Sequence, residues 1–278
     1  IGTILCAAAA VCCFAVPGGS MDGVAIHEER REDMVRLAVE TAHYRILILP
    51  TLGGRIVSWH DKVKDAEMVY GILPESRAEA HGKYNGMLDD RLGLTEAGYS
   101  YAIDRPSEGT AVLTLRGRDD AVGLEVVKAL TFRAHSPVVR ARYTYANHSQ
   151  SMLVGFNHGI RNFLIPGGAV RVSSNHVYYV PTTRAVRKIN AADRIQALPE
   201  FSGIQLQTQL SAPWLAMLDV RSQQGLAVSF EDDAYLGWYV WGNHDRVERP
   251  TFEWFFKDLP AGHWHTTEFD LIQVDDLA

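Results

Sequence analysis

The run YTYANHSQSMLVGFNHGIRNFLIPGGAVRVSSNHVYYV, Tyr143 to Val180, reads as three extended segments divided by two breaks. The first segment ends in a polar turn at Asn147-His148-Ser149-Gln150. The second carries Asn157-His158, and Pro166-Gly167-Gly168 separates it from the third. Aromatic and β-branched residues fill the runs, while Gly, Pro and Asn fill the breaks. That composition belongs to strands and their turns.

The same texture extends outward in both directions. VRLAVETAHYRILILP followed by TLGGRIVSWHDK, from Val35 to Lys62, breaks at Pro50 and Gly53-Gly54 and reads as strand, turn, strand. GTAVLTLRGRDD, GLEVVKALTFRAHSP and VVRARYTYANHS form a meander of three. PWLAMLDV, GLAVSFED, LGWYVWGN, TFEWFFKDL and HWHTTEFDLIQV repeat the style with Trp and Phe suited to a buried sheet face. Two stretches stand apart: Met21 to Asp33 is polar and reads as a lead-in arm or short helix, and Met68 to Tyr99 has no clean period. No stretch reads as a long amphipathic helix, and no P-loop, GxGxxG or HExxH occurs. The expected class is all-β, a large antiparallel β-sandwich formed as one domain over residues 21–278.

Composition narrows function. With 47% hydrophobic and 22% charged residues among 278, the chain can bury one continuous core. A formal charge of -6 argues against a binder of the phosphate backbone, so nucleic acid is not an expected partner. All three cysteines, Cys6, Cys12 and Cys13, lie in IGTILCAAAAVCCFAVPGGS. That run has the apolar core and small-residue exit of a secretory signal, without an initiating Met or basic leader, and is shorter than a span of about 20 residues. The expectation is a signal peptide over residues 1–20 cleaved near Ser20. The mature protein would then be secreted or periplasmic, free of cysteine and without a stable membrane span.

The segments "ilP..GGri.sw" around Pro50 to Trp59, "NH…F" around His158 to Phe163, and the end from Trp238 to Val274 resemble the galactose mutarotase-like (aldose 1-epimerase) superfamily. The resemblance implies a supersandwich with a sugar-binding concave face and a small-molecule sugar or oligosaccharide as partner. It also implies proton transfer at the anomeric centre without cofactor or metal, one group taking the anomeric hydroxyl proton and another protonating the ring oxygen. In such enzymes a His is the acid and a late Glu the base, which carries these roles to His158 and Glu253. His158 matches incompletely, since Gly159-Ile160-Arg161 follows it. Glu253 lies in PTFEWFFKDLPAG, where aromatic neighbours would raise a carboxyl's pKa.

Arg55, Asp89, Asp90, Arg91, Arg161 and His244 are further candidates for binding hydroxyls, and Arg91 and Arg161 suit a uronic acid. Trp59, Trp238 and Trp241 are either a stacking platform for a pyranose or core. His263 and His265 alternate along one strand near His244 and Asp245, but without a defined ligand spacing no metal site is expected. Two readings stand beside the isomerase: a carbohydrate-binding module, for which His158 and Glu253 are irrelevant, and a polysaccharide lyase or hydrolase domain.

Overall fold

The computed structural model describes residues 23–275 except 32, 71, 72, 75, 81–85, 170, 196, 197, 199, 200, 202, 232–234 and 242–249. The expected signal peptide, His244 and Asp245 lie outside the described residues. The regular secondary structure of the described chain is almost all antiparallel strand, arranged in three sheets.

A five-stranded sheet takes β1 (Ala25–Arg31), β2 (Met34–Glu40), β3 (Tyr44–Leu49), β4 (Arg55–Asp61) and β5 (Ala66–Glu67) in chain order. The polar segment read as an arm or short helix is therefore strand β1. Among the described residues it pairs only with β2, and its Glu-Glu-Arg-Arg end is exposed, so the usual apolar alternation of a strand is missing. Gly53 and Gly54, at φ 71° and 55°, turn the chain between β3 and β4 in the left-handed region that favours glycine.

Next in the chain come β6 (Asp89–Asp90), β7 (Ser100–Ser107), β8 (Thr110–Asp119), β9 (Leu124–Arg133), β10 (Val138–Asn147), β11 (Gly159–Phe163), β12 (His176–Pro181) and β13 (Val186–Asn190). They are followed by β14 (Gln205–Leu206), β15 (Trp214–Asp219), β16 (Gln224–Phe230), β17 (Tyr235–Trp241), β18 (Thr251–Phe256) and β19 (Trp264–Val274). A nine-stranded sheet has the order β13-β12-β15-β16-β19-β10-β9-β8-β7, and a smaller sheet the order β14-β17-β18-β11-β6. The meander expected from the sequence is β8, β9 and β10. The described part of the aperiodic stretch from Met68 to Tyr99 contributes β6, the edge of the small sheet, one short helical turn at Arg77–Ala80 and a 3-10 turn at Leu92–Thr95.

The nine-stranded and small sheets face each other across aromatic side chains. Tyr145 meets Phe256 with ring centres 4.2 Å apart, and Trp254 stands edge-on to Phe269 at 5.2 Å. One hydrophobic cluster runs through all three sheets. Trp59 and Trp238 belong to it, so of their two readings the core applies; Trp59 satisfies its indole N–H by donating to Gln273 Oε1 at 2.9 Å. Along β9 the inward positions are Leu124, Val126, Lys128, Leu130 and Phe132, which places one lysine, fully buried, in an otherwise apolar column.

Candidate functional site

Register builds the site around Glu253. On β18 it stands directly across from Arg161 of β11 on one side and Tyr239 of β17 on the other, and Arg161 in turn stands across from Asp89 of β6. Directly opposed residues share a face, so Tyr239, Glu253, Arg161 and Asp89 form a row across four strands. Trp241, two residues beyond Tyr239, joins the same face, with ring centres 5.6 Å apart. The opposite face carries Trp238, Trp254 and Ile160, all buried in the core.

Arg91 follows β6, anchored through its backbone N–H to Gly159 O at 3.2 Å. Its guanidinium reaches Glu253 Oε2 at 2.6 Å and lies over the Phe255 ring at 4.9 Å. The Arg91 side chain is 33% exposed and that of Glu253 14%, so the pair borders solvent. Burial pushes the Glu253 carboxyl above its ordinary range, and Arg91 and then Arg161 pull it back. Glu253 is thus a carboxylate whose proton affinity is raised, with guanidinium groups beside it.

Beneath this row is a buried cluster of charge. Arg161 Nη2 pairs with Asp89 Oδ2 at 2.9 Å and donates to Thr95 Oγ1 at 2.8 Å. Arg55 donates to Thr95 O and to Leu52 O and lies 3.9 Å from Asp89 Oδ1. Lys128 Nζ contacts Asp90 Oδ2 at 2.7 Å and donates to Gly53 O, Gly54 O and Leu88 O at 2.9, 3.2 and 2.8 Å. Tyr99 donates its hydroxyl to the same Asp90 oxygen at 2.6 Å. Burial pushes the Asp90 carboxyl up and the Lys128 amine down, and each group opposes the other's shift. Arg55 and Asp90 are sealed from solvent, so the expectation that they contact a sugar is corrected: they hold the floor on which Arg161 and Arg91 stand.

His158 is elsewhere. Its backbone is extended, at φ -125° and ψ 143°, just after the 3-10 turn Gly155–Asn157 and ahead of β11. Its ring stacks on Phe256 at 6.1 Å and lies 6.0 Å from Tyr145. Phe256 is three places from Glu253 along β18, hence on the other face. His158 and Glu253 therefore point to opposite sides of one sheet, and the expected acid-base pair does not converge. Burial lowers the imidazole's pKa, and Nδ1 lies 3.3 Å from Val154 O.

Of the sequence candidates, then, Glu253, Arg91, Arg161 and Trp241 come together on one face, with Asp89 under Arg161. Tyr239 and Lys128 were missed; the signal for Lys128 was its place in an inward-alternating strand. Among the described residues, no group of three or more His, Cys, Asp or Glu is placed to hold a metal ion. Among them, too, no helix is long and apolar enough to cross a membrane.

Comparison with solved structures identifies the architecture. A Klebsiella pneumoniae protein proposed to be an aldose 1-epimerase superposes over 91% of this chain and 88% of its own, with TM-score 0.66 and 10% identity. A galactose mutarotase-like protein from Clostridium acetobutylicum matches 91% of this chain and 99% of its own at TM-score 0.62 and 9% identity. A TPR-domain containing protein from Parabacteroides distasonis matches 88% of this chain at TM-score 0.62 and 13% identity, and the chain spans 48% of that protein's length. No family model matches the sequence, and no curated protein matches it. The chain has the galactose mutarotase-like fold, as the resemblance implied, in a divergent sequence.

Proposed function

We propose that this chain is a carbohydrate-active protein that binds a sugar on the open face of the small sheet and exchanges its anomers, with Glu253 as the base. The observation that supports this is the row Tyr239, Glu253, Arg161 with Arg91 and Trp241 beside it, a carboxylate of raised proton affinity among guanidinium and aromatic groups. Neighbours of the same fold include a protein proposed to be an aldose 1-epimerase. Glu253 takes the anomeric hydroxyl proton, the bond from the anomeric carbon to the ring oxygen breaks as the carbonyl forms, and the ring oxygen gains a proton. His158 lies on the wrong face to supply that proton. Tyr239, directly across from Glu253, carries an O–H on the right one. Reclosure reverses both transfers. The guanidinium groups of Arg91 and Arg161 favour a sugar bearing a carboxylate.

The test is anomer-resolved NMR or polarimetry on hexoses, pentoses and uronic acids. Glu253→Gln is expected to slow exchange by about 10²-fold with the fold intact. Equal rates in both proteins would remove Glu253 from the chemistry. A second reading, a binding module without turnover, is favoured by His158 facing away from Glu253. It predicts saturable sugar binding with no anomer exchange. An unsaturated product absorbing in the ultraviolet would point instead to a lyase. We also propose export on the strength of the apolar N-terminal run; protein recovered from its native host should begin near Ser20, and recovery with that run intact would refute this.

A further inference from the structure

Two guanidinium groups border Glu253, and they are held in opposite ways. Arg161 is fixed from beneath: its Nη2 pairs with the buried Asp89 at 2.9 Å and donates to Thr95 Oγ1 at 2.8 Å, and its side chain is 14% exposed. Arg91 stands at the rim. Its side chain is 33% exposed, and among the described residues its one ion pair is the 2.6 Å bond from Nη1 to Glu253 Oε2. The guanidinium otherwise rests on the Phe255 ring at 4.9 Å. Phe156, 38% exposed, packs edge-on against that ring at 6.0 Å, so the aromatic bed under Arg91 continues outward past the bridge.

The bridge opposes the chemistry proposed for Glu253. A guanidinium on the carboxylate occupies one of its two oxygens and pulls its proton affinity down, against the burial that raises it. Glu253 is the stronger base with Arg91 elsewhere. Arg91 can leave at small cost only for another anion, since one charge-assisted bond is then exchanged for a second of the same kind. A neutral sugar offers no such partner. A phosphate dianion would set two charges beside Glu253 and Asp89 against one released guanidinium, whereas a single carboxylate matches the planar fork of an arginine with two parallel N–H bonds. We infer that Arg91 is the specificity-determining residue of the Glu253 face: it passes from Glu253 to the carboxylate of a bound uronate, and it stays on Glu253 when the sugar is neutral. The inference rests on this face being the sugar site proposed above. Among the described residues the ionisable groups around Glu253 are Asp89 of β6, Arg91 after it, Arg161 of β11, Tyr239 of β17 and, from the larger sheet, Tyr178 of β12. Of the charged ones, Arg91 is the most exposed.

The test measures binding, so that it stands whether or not anomers exchange. D-glucuronate with D-glucose, and D-galacturonate with D-galactose, are titrated by saturation-transfer NMR into the wild type, Glu253→Gln, Arg91→Gln and the double variant. For the pair that binds, the ratio of uronate to hexose affinity should fall about tenfold in Arg91→Gln. It should rise about tenfold in Glu253→Gln, which releases Arg91 for the ligand, and that gain should largely vanish when Glu253→Gln is made in the Arg91→Gln background. An equal gain in both backgrounds would be plain charge repulsion between Glu253 and the ligand, and would overturn the inference. An unchanged ratio in Arg91→Gln, or no saturable binding of any of the four sugars, would overturn it too. Failure of the proposed isomerase is read separately, as unchanged exchange of free sugars in Glu253→Gln, and leaves these affinity ratios as they are.

Discussion

Replacing Lys128 by Met tests whether the charge cluster under the site is an integral part of the fold. The side chain is fully buried, and its ammonium serves one carboxylate and three backbone carbonyls. Met has nearly the same length and fills the space, so what is lost is the charge and its hydrogen bonds. Leaving one member of a buried pair alone costs about 3–5 kcal/mol. At about 2–4 °C per kcal/mol for a domain of this size, the melting temperature should fall by about 6–20 °C. The loss should depend on pH. Without Lys128, burial raises the Asp90 carboxyl further, so between the ordinary aspartate pKa and the folded value the native state binds more protons than the unfolded one. Stability of the variant then falls as pH rises through that window, and the deficit is larger at pH 8 than at pH 5. Urea unfolding at the two pH values measures this, and Lys128→Met/Asp90→Asn should recover about 2 kcal/mol relative to the sum of the single losses. A single-variant loss under about 1 kcal/mol, or additive losses, would refute the reasoning.

Three further outcomes follow from the same geometry. The rate of anomer exchange should rise with pH through a midpoint above the ordinary carboxylate range, because burial raises the Glu253 pKa and only the ionised form is a base; a midpoint at or below 4.5 would contradict this. His158 has a depressed pKa, so the unfolded state binds more protons below about pH 6.5 and stability falls as pH drops from there through the folded value. His158→Phe should flatten that acid limb in urea midpoints taken between pH 7.5 and 5, and an unchanged slope would contradict the assignment. Gly117→Ala would place a Cβ 2.3 Å from Tyr99 ring carbons, pushing Tyr99 off Asp90; a loss of about 2 kcal/mol is expected by denaturation, and none if the ring can shift freely.

The strands were legible because their signals are local. Alternation over β8, β9 and β10 and the glycine turn between β3 and β4 need only neighbouring residues to be read. Glu253 was legible for the same reason, since its aromatic neighbours on β18 flank it in the chain. The pairing of His158 with Glu253 depends on which face each takes. That is set by the register of β11 against β18, across some ninety positions of chain, and no local pattern contains it. β1 was misread because an edge strand with an exposed polar end shows no core-facing period. Lys128 could have been found by treating a lysine at an inward position of an alternating strand as a demand for a buried partner.

Parity divides the labour of β11, β17 and β18. Odd-numbered positions, Arg161, Tyr239, Trp241, Glu253 and Phe255, look one way, and even-numbered positions, Trp238, Ile160, Trp254 and Phe256 with His158 just ahead of them, look the other. Substitutions at odd positions can therefore retune the Glu253 face while the even positions keep the core and the packing around His158 as they are. Insertion or loss of one residue within β18, by contrast, would exchange the two sets at a stroke, so these strands tolerate changes of residue far better than changes of length.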